Sequence, residues 1–311
     1  HVIYSIMATI NNTIVVLCSH NGEKYLNQQI LSVLNQSEPI HEFIIFDFNS
    51  TDKTADTIKE WSLKDDRILG QYMQYAKGPC HSFFHALSYL KNRHEKTKNS
   101  IIYIIDQDDL WEHKKNEKVL EFFKKSSPDL IFHDTTIVDE NLNLISNSYY
   151  TGYWDVYRDL KFPNQFFSNC VIGHTIALKQ ELLQKLDLKY DKRLPMHDWE
   201  IINQTIYNNG KIQFIPLALS KYRQHSNNLL GSTRKTKNAL KSIIQHSKTL
   251  YRYHNFLKQH KEKNFQYLKQ SNFFILKQIL RNIRPLKKLI LILPSFYLTL
   301  LYDKIRIFRR E

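Results

Sequence analysis

The chain has 311 residues, of which 42% are hydrophobic and 24% charged, a balance typical of a globular protein and not of a disordered or fibrous one. Seven glycines and eight prolines exclude a collagen-like repeat, and three cysteines are too few for a disulfide framework or a cysteine-rich zinc site. The formal net charge of +14 is concentrated in one region. Residues 233–311 hold 19 basic against 3 acidic residues, whereas the first 232 residues hold 25 against 27. This asymmetry predicts a near-neutral globular part and a basic tail that meets an anionic partner.

Short apolar runs alternate with helical patterns through the first half of the chain. Residues 13–18, 43–46, 101–105 and 130–133 are rich in β-branched and aromatic side chains and predict buried strands. Ser50 is placed to cap a helix over residues 53–61. Strands that alternate with helices predict an α/β protein with a mostly parallel central sheet flanked by helices. Residues 151–232 are less regular and rich in aromatic side chains, which predicts a second lobe over the edge of the sheet.

Polar side chains follow the predicted strands where each strand ends. The first strand leads into Ser19, His20 and Asn21, the second into Asp47, and the strand over 101–105 into Asp106-Gln107-Asp108-Asp109. Ligands of open α/β sheets bind beyond the carboxyl ends of the strands, so we expect a polar ligand there. The sequence has neither of the glycine-rich patterns that mark a dinucleotide site or a P-loop.

Three carboxylates within four positions are the sharpest chemical signal. Asp106, Asp108 and Asp109 repel one another unless a cation lies between them. Oxygen ligands of this kind suit Mg²⁺ or Mn²⁺, and such an ion stabilises a leaving diphosphate. The alternative is an acidic loop that caps the helix after it.

Four segments in a fixed order carry a resemblance to a known family. They read TIVVLCSHNGEKYLNQQILSVLNQS, IIFDFNSTDKT, YIIDQDDLW and MHDWE. Together they resemble the inverting nucleotide-sugar glycosyltransferases of family 2, which have the GT-A fold, and within them the bacterial rhamnosyltransferase-like enzymes of cell-surface polysaccharide synthesis. The resemblance covers residues 12–230. It implies a GT-A domain over 1–232, with a nucleotide half at about 12–135 and an acceptor half at about 136–232.

The resemblance also implies the reaction and its partners. The implied donor is a UDP- or dTDP-sugar, the implied acceptor a saccharide attached to a lipid, and the implied cofactor Mn²⁺ or Mg²⁺. The residues that match the nucleotide-binding motifs are Ser19, His20, Asn21, Glu23, Asp47, Asn49, Asp106 and Gln107. Phe48 stands where relatives have a second acid that often contacts the base. This departure leaves the uracil contact open and supports the alternative of a non-catalytic, sugar-binding relative.

The remaining motif positions match the chemistry of sugar transfer. Asp108, with Asp106 and His225, matches the metal ligands, and Asp198 matches the general base that deprotonates the acceptor hydroxyl. Asp109, Gly173, His174, Trp199 and Arg223 match the residues around the donor and acceptor sugars. Three of these residues also have a purely structural alternative: Asp198 as a helix cap, Trp199 as core packing and His225 as a structural histidine.

Residues 233–311 predict a basic helical tail that associates with a membrane or forms oligomers. Leu276, Ile279, Leu280 and Ile283 fall on one helical face, and Lys277, Arg281, Arg284 and Lys288 on a neighbouring one. The most apolar run, residues 289–301, is shorter than the roughly 20 residues that span a bilayer. We therefore expect a cytoplasmic protein, without a secretory signal, peripheral on the inner face of the cell membrane. A homodimer is the alternative use of the tail. No nucleic-acid partner is expected, although a basic arm would suit one.

Overall fold

A computed structural model describes residues 12–93, 97–151, 155–160, 165, 169–226 and 228. The predicted basic tail, residues 233–311, lies outside these described residues. Among the helices of the described part, none combines the length and hydrophobicity needed to cross a membrane.

Nine strands of the described chain form one sheet in the order β3-β2-β1-β4-β8-β6-β9-β5, with β7 beside β6. The strands are β1 (Asn12–Ser19), β2 (Glu42–Phe48), β3 (Ile68–Met73), β4 (Ser100–Ile105), β5 (Leu110–Trp111), β6 (Leu130–Val138), β7 (Leu144–Ser146), β8 (Ala177–Lys179) and β9 (Ile212–Arg223). The helices are α1 (Glu23–Leu34), α2 (Thr54–Lys64), α3 (Pro79–Asn92), α4 (Lys115–Ser126), α5 (Val156–Asp159), α6 (Gln180–Lys185) and α7 (His197–Tyr207). A single 3-10 turn, Gly173–Thr175, precedes β8.

Most strands of the sheet run in one direction. Parallel pairing joins β1 to β2 and β4, β2 to β3, and β6 to β9. Strand β8 runs antiparallel to both of its neighbours, β4 and β6. The predicted α/β fold with a mostly parallel sheet is therefore confirmed, and the reversed strand β8 is a feature that the sequence did not reveal.

The central strands are apolar because both of their faces are covered. Val15 and Val16 on β1, and Ile102 and Ile104 on β4, are fully buried. Side chains that point alternately to the two faces must all be hydrophobic in such a strand. The four predicted strands each fall inside an observed one, since this continuous apolar pattern is readable in sequence.

Two local expectations were wrong. Helix α2 begins at Thr54, and its first backbone N–H donates to Asp52 Oδ1 at 3.0 Å, so Ser50 is not its cap. Ser50 instead links the ends of β1 and β2, because its hydroxyl accepts the N–H of Asn21 at 2.9 Å. The acceptor half is also not a separate lobe in its described part: β8 and β9 belong to the same sheet as the nucleotide half.

Candidate active site

The predicted nucleotide-binding residues lie on two adjacent turns at the carboxyl ends of β1 and β2. Ser19 and Asp47 are direct neighbours in the register of these strands. Asn21 and Asn49 adopt left-handed backbone conformations, with φ of 49° and 57°, which asparagine tolerates better than most residues. The turns are tied together, since Asn21 Oδ1 accepts the N–H of Thr51 at 2.8 Å and His20 Nδ1 lies 2.8 Å from the carbonyl oxygen of Phe48.

Gln107 and Glu23 hold these turns in place. Gln107 Oε1 accepts the hydroxyl of Ser19 at 2.6 Å and the N–H of His20 at 3.0 Å, and its amide nitrogen donates to the carbonyl of His20 at 3.1 Å. Glu23 Oε2 accepts the N–H of Lys53 at 3.3 Å, next to the start of α2. Both side chains were predicted to bind the nucleotide, and the contacts that the structure gives them are with the protein itself.

Phe48 belongs to the core. Its ring is 3% exposed, lies 6.3 Å from the ring of Phe46 and meets the ring of His85 edge-on at 6.1 Å. The aromatic residue that replaces the family's second acid therefore packs behind the nucleotide turns.

The acidic loop after β4 concentrates negative charge. Burial raises the pKa of Asp106 well above its usual range, and the carboxylates of Asp109, Asp108 and Asp198 raise it further. Burial and Asp109 also raise the pKa of Asp108, while a hydrogen bond to His225 opposes the increase. Four mutually repelling carboxylates in a partly buried site are an arrangement that a divalent cation would stabilise.

Two groups of side chains, each formed by this loop and a histidine from a distant segment, offer ligand atoms to a metal. His225 Nε2 lies 2.8 Å from Asp108 Oδ2, so the structure brings together two of the three predicted ligands. The second group is Asp106, Asp109 and His174, whose ligand atoms lie within 4.8 Å of one another. The sequence motifs assigned Asp109 and His174 to the sugars and not to the metal, although Asp109 belongs to the acidic cluster that a cation would stabilise.

Asp109 and His174 were predicted to lie around the donor and acceptor sugars. Both side chains are too deeply buried to line a sugar pocket. Their side chains are 2% and 1% exposed, and His174 Nδ1 lies 2.8 Å from Asp109 Oδ2, outside hydrogen-bond alignment. The other oxygen of Asp109 accepts the N–H of Arg223 at 3.1 Å. Both nitrogens of His174 lack a hydrogen-bond partner among the described residues. The pair lies beneath the acidic loop.

Arg223 binds the backbone of the acidic loop. Its guanidinium donates to the carbonyl oxygens of Asp108 and Glu140, each at 2.8 Å, and to Gln28 Oε1 at 2.7 Å. It also lies over the ring of Tyr25 at 4.6 Å. Because Arg223 is only 2% exposed, these contacts favour a structural clamp over the predicted contact with a donor phosphate.

Asp198 lies in the first turn of α7 and is a buried carboxyl with a high proton affinity. Burial raises its pKa to about 6, although hydrogen bonds from the backbone N–H groups of Trp199 and Gly173 and from the side chain of Asn169 lower it. Its charge also raises the pKa of Asp106. Helix α7 begins at His197, so Asp198 is inside the helix and does not cap it.

The contacts that the structure gives Gly173 and Trp199 are with other parts of the protein. A side chain at Gly173 would place Cβ 2.7 Å from His197 Nε2, so the close approach that needs glycine is to this histidine. His197 is buried between Gly173 and the ring of Phe83, whose centroid lies 4.0 Å away. Trp199 is buried, and its indole N–H donates to the carbonyl of Gln165 at 2.9 Å, which favours core packing.

Sequence reasoning missed Lys115, Asn169 and His197 as contributors to this site. Lys115 carries no local signal, because a lysine at the start of a helix is ordinarily exposed. His197 lies within the quoted segment MHDWE and Asn169 lies four residues before Gly173, but only the fold shows that they support Asp198 and Gly173.

Solved structures share this arrangement of sheet and helices. The TarS structure of S. aureus (residues 1–349) in complex with UDP-GlcNAc matches with a TM-score of 0.54 and 16% identity, over 70% of this chain and 60% of that one. The mannosyltransferase PcManGT of Pyrobaculum calidifontis, in complex with GDP-Man and Mn²⁺, matches with a TM-score of 0.55 and 14% identity, over 97% and 84%. The fold is thus that of the GT-A glycosyltransferases.

The sequence comparisons give the family. The profile described as glycosyl transferase family 2 matches residues 14–187, and the chain belongs to this family. An uncharacterized glycosyltransferase of Methanocaldococcus jannaschii, MJ1057, is 30% identical over 72% of this chain and 74% of its own length. The Escherichia coli protein WfgD, named UDP-Glc:alpha-D-GlcNAc-diphosphoundecaprenol beta-1,3-glucosyltransferase, is 26% identical over 67% and 76%. The resemblance seen in the motifs is confirmed.

Proposed function

We propose that this glycosyltransferase moves a sugar from a UDP- or dTDP-sugar to a saccharide acceptor in polysaccharide synthesis, with inversion at the anomeric carbon. The observation that supports the proposal is that one turn lies against both groups: ligand atoms of His174 and Asp106 lie within 4.8 Å of one another, and a Cβ at Gly173 would lie 3.7 Å from Asp198 Cβ. A base and a phosphate-facing site in one place are what a direct displacement needs.

Asp198 is the proposed general base. It takes the proton from the acceptor hydroxyl while that oxygen attacks the anomeric carbon, and the carbon–phosphate oxygen bond breaks on the opposite face. A pKa of about 6 leaves most of the carboxyl ionised at neutral pH and still basic enough to take a proton. The backbone N–H of Gly173 and the side chain of Asn169 orient the carboxylate.

The donor's diphosphate lies against the acidic loop in this proposal. Asp106, Asp108 and His225 are the residues that would hold Mn²⁺ or Mg²⁺, since Asp108 and His225 are more exposed than Asp109 and His174. The ion would neutralise the charge that develops on the leaving diphosphate. The exposed His20, with Ser19, Asn21, Asp47 and Asn49, would surround the nucleoside. The Mn²⁺ and nucleotide in the named structures of TarS and PcManGT support this placement.

A lipid-linked acceptor at the inner membrane face is also part of the proposal. WfgD carries diphosphoundecaprenol in its name, and residues 233–311 of this chain carry 19 basic residues against 3 acidic ones. Anionic headgroups attract such segments, which would bring the site to an acceptor held in the bilayer.

The test of the proposed base is Asp198→Asn. Transfer from UDP- or dTDP-sugars, supplied with Mn²⁺, is expected to fall at least about 100-fold, because general-base catalysis contributes that much or more. Calorimetric binding of UDP and dTDP, with and without Mn²⁺, should stay near the wild-type value.

Glu200→Gln is the matched control, since Glu200 is a second buried carboxyl on the same helix. It is expected to keep wild-type turnover. Full activity of a folded Asp198→Asn protein would refute the assignment of the base. Nucleotide binding by a wild-type protein that transfers no sugar would favour a non-catalytic member of the family.

A further inference from the structure

The ring of Tyr25 packs against the residues that end β9. Tyr25 lies in the first turn of α1, and its backbone N–H donates to the carbonyl oxygen of Gly22 at 3.0 Å. The centroid of its ring lies 4.6 Å from the guanidinium carbon of Arg223 and 5.0 Å from the centroid of the His225 ring. Arg223 is the last residue of β9, and His225 follows two positions later. One half-buried side chain of α1 thus contacts both of them.

Arg223 and His225 both bind the acidic loop at Asp108. The guanidinium of Arg223 donates to the carbonyl oxygen of Asp108 at 2.8 Å, and His225 Nε2 lies 2.8 Å from Asp108 Oδ2. Strand pairing fixes the backbone of Arg223, whose partner in the register is Val138. His225 lies beyond the end of the strand, so the direction of its ring depends on side-chain packing. The Tyr25 ring lies against it with the two ring planes 32° apart.

The electrostatics of an aromatic ring suit this place. The face of such a ring is negative and attracts cations. Lys24 Nζ lies 5.1 Å from the centroid of the Tyr25 ring, on which Arg223 also packs. Lys24 in turn forms an ion pair with Glu140, whose carbonyl oxygen accepts a hydrogen bond from Arg223 at 2.8 Å. A carboxylate in the place of the ring would add to the repulsion among the acidic residues of the loop, whereas the neutral ring attracts the neighbouring cations without adding charge.

Helix α1 carries this ring and directly follows the first nucleotide turn. It begins at Glu23, after residues 20–22, which lead out of β1. Gln28, nearly one helical turn after Tyr25, accepts a hydrogen bond from Arg223 at 2.7 Å through its Oε1. The helix therefore holds the end of β9 at two points, and a shift of α1 would also move the residues that follow β9.

We propose that Tyr25 is the positioning residue that holds the imidazole of His225 beside the carboxylate of Asp108. It thereby joins the helix that follows the nucleotide turn to the side chains that would hold a divalent ion. His225 Nε2 and Asp108 Oδ2 then stay close enough to serve one ion. The metal-binding part of this inference rests on the proposed function, whereas the packing of Tyr25 on His225 does not.

The first experiment uses the protein without metal. The imidazole C–H signals of the 14 histidines are recorded by NMR, and His225→Gln identifies the signal of His225. Tyr25→Leu removes the ring current and should move this signal, whereas Tyr25→Phe keeps a ring and should leave it near the wild-type position. Tyr157→Leu is the matched control, because Tyr157 is 73% exposed. The other histidine signals show that each variant is folded. A His225 signal that Tyr25→Leu leaves in place would overturn the proposal.

The second experiment measures the affinity for Mn²⁺ alone, from the electron paramagnetic resonance signal of the free ion. Tyr25→Leu is expected to bind about tenfold more weakly than wild type, because residues that orient a metal-binding histidine typically contribute about 10–100-fold. Tyr25→Phe and Tyr157→Leu should stay within twofold of wild type. Wild-type affinity in folded Tyr25→Leu would overturn the positioning role.

The same measurements separate this proposal from the proposed function. A wild-type protein that binds no Mn²⁺ would overturn the positioning role together with the metal site. A wild-type protein that binds Mn²⁺ more tightly than Tyr25→Leu, but transfers no sugar, would refute the proposed function and support the role of Tyr25.

Discussion

At the scale of single residues, the site depends on carboxyl groups kept away from water. Asp198 has a pKa of about 6, whereas a carboxyl in an unfolded chain titrates near about 4. The cause is burial, only partly offset by hydrogen bonds from the backbone of Trp199, Gly173 and Asp198 itself and from the side chain of Asn169. The sequence indicated which residue this was by its motif, but its basicity follows from the fold.

The rate of transfer should fall on the acid side of neutrality. A general base works only when deprotonated, so kcat/KM is expected to rise with pH, to reach half its maximum near pH 6 and to level off above about pH 7. The measurement is a pH profile with subsaturating acceptor. The small residual rate of Asp198→Asn should not show this rise with pH. A wild-type midpoint near pH 4 would show that Asp198 is not the titrating base.

The ionised form of Asp198, which activity requires, should lower the stability of the fold. Because the folded state raises the pKa, it binds the proton more tightly than the unfolded chain does, so this contribution stabilises the fold at low pH and is lost as pH rises from about 4 to about 6. Asp198→Asn is therefore expected to be more stable than wild type at pH 8, by about 1–3 kcal/mol. Urea unfolding without metal should show this difference, and it should narrow at pH 5.

At the scale of elements, the turn Gly173–Thr175 and helix α7 form the support of the base. They meet where Gly173 packs against His197 without room for a side chain. His197 has no hydrogen-bond partner for either ring nitrogen among the described residues, and burial lowers its pKa to about 3. It serves as a neutral packing surface for the turn.

Gly173→Ala should separate the turn from α7. The added Cβ would lie 2.7 Å from His197 Nε2, and relief of such an overlap typically costs about 1–3 kcal/mol. We expect a lower urea midpoint and a reduced kcat, because the N–H of residue 173 moves away from Asp198. His197→Ala provides the control: combined with Gly173→Ala it should lose less stability than the two single losses added together. If the two stability losses simply add, the overlap is relieved by a shift of residues other than His197.

How far the sequence predicts this fold depends on the length of each element. β1 and β4 were predictable because five consecutive residues of each form an apolar run. β5 and β8, with two and three residues, are too short to show any periodicity, so the reversal at β8 was hidden. The partnership of Asp109 with His174 was hidden for a related reason, since no local pattern links residues that only the sheet brings together.

At the scale of the whole chain, the asymmetric charge gives a prediction about membranes. The full-length protein should float with vesicles that contain anionic lipid and not with neutral ones, and the binding should weaken as salt rises. Replacing Lys277, Arg281, Arg284 and Lys288 by glutamine should weaken partitioning by about two orders of magnitude or more, at about 1 kcal/mol for each charge. Unchanged flotation, or a stable dimer in sedimentation without vesicle binding, would favour the tail as an oligomer interface.

The reversed direction of β8 has a consequence for where the support of Asp198 lies. Because Ala177 pairs with Tyr103 on an antiparallel neighbour, the chain that enters β8 arrives at the same edge that the chain leaving β4 departs from. The turn Gly173–Thr175, which comes just before β8, therefore lies at the edge of the sheet where Asp106 and Asp109 follow β4. A parallel strand in the place of β8 would put this turn at the opposite edge, away from the acidic loop.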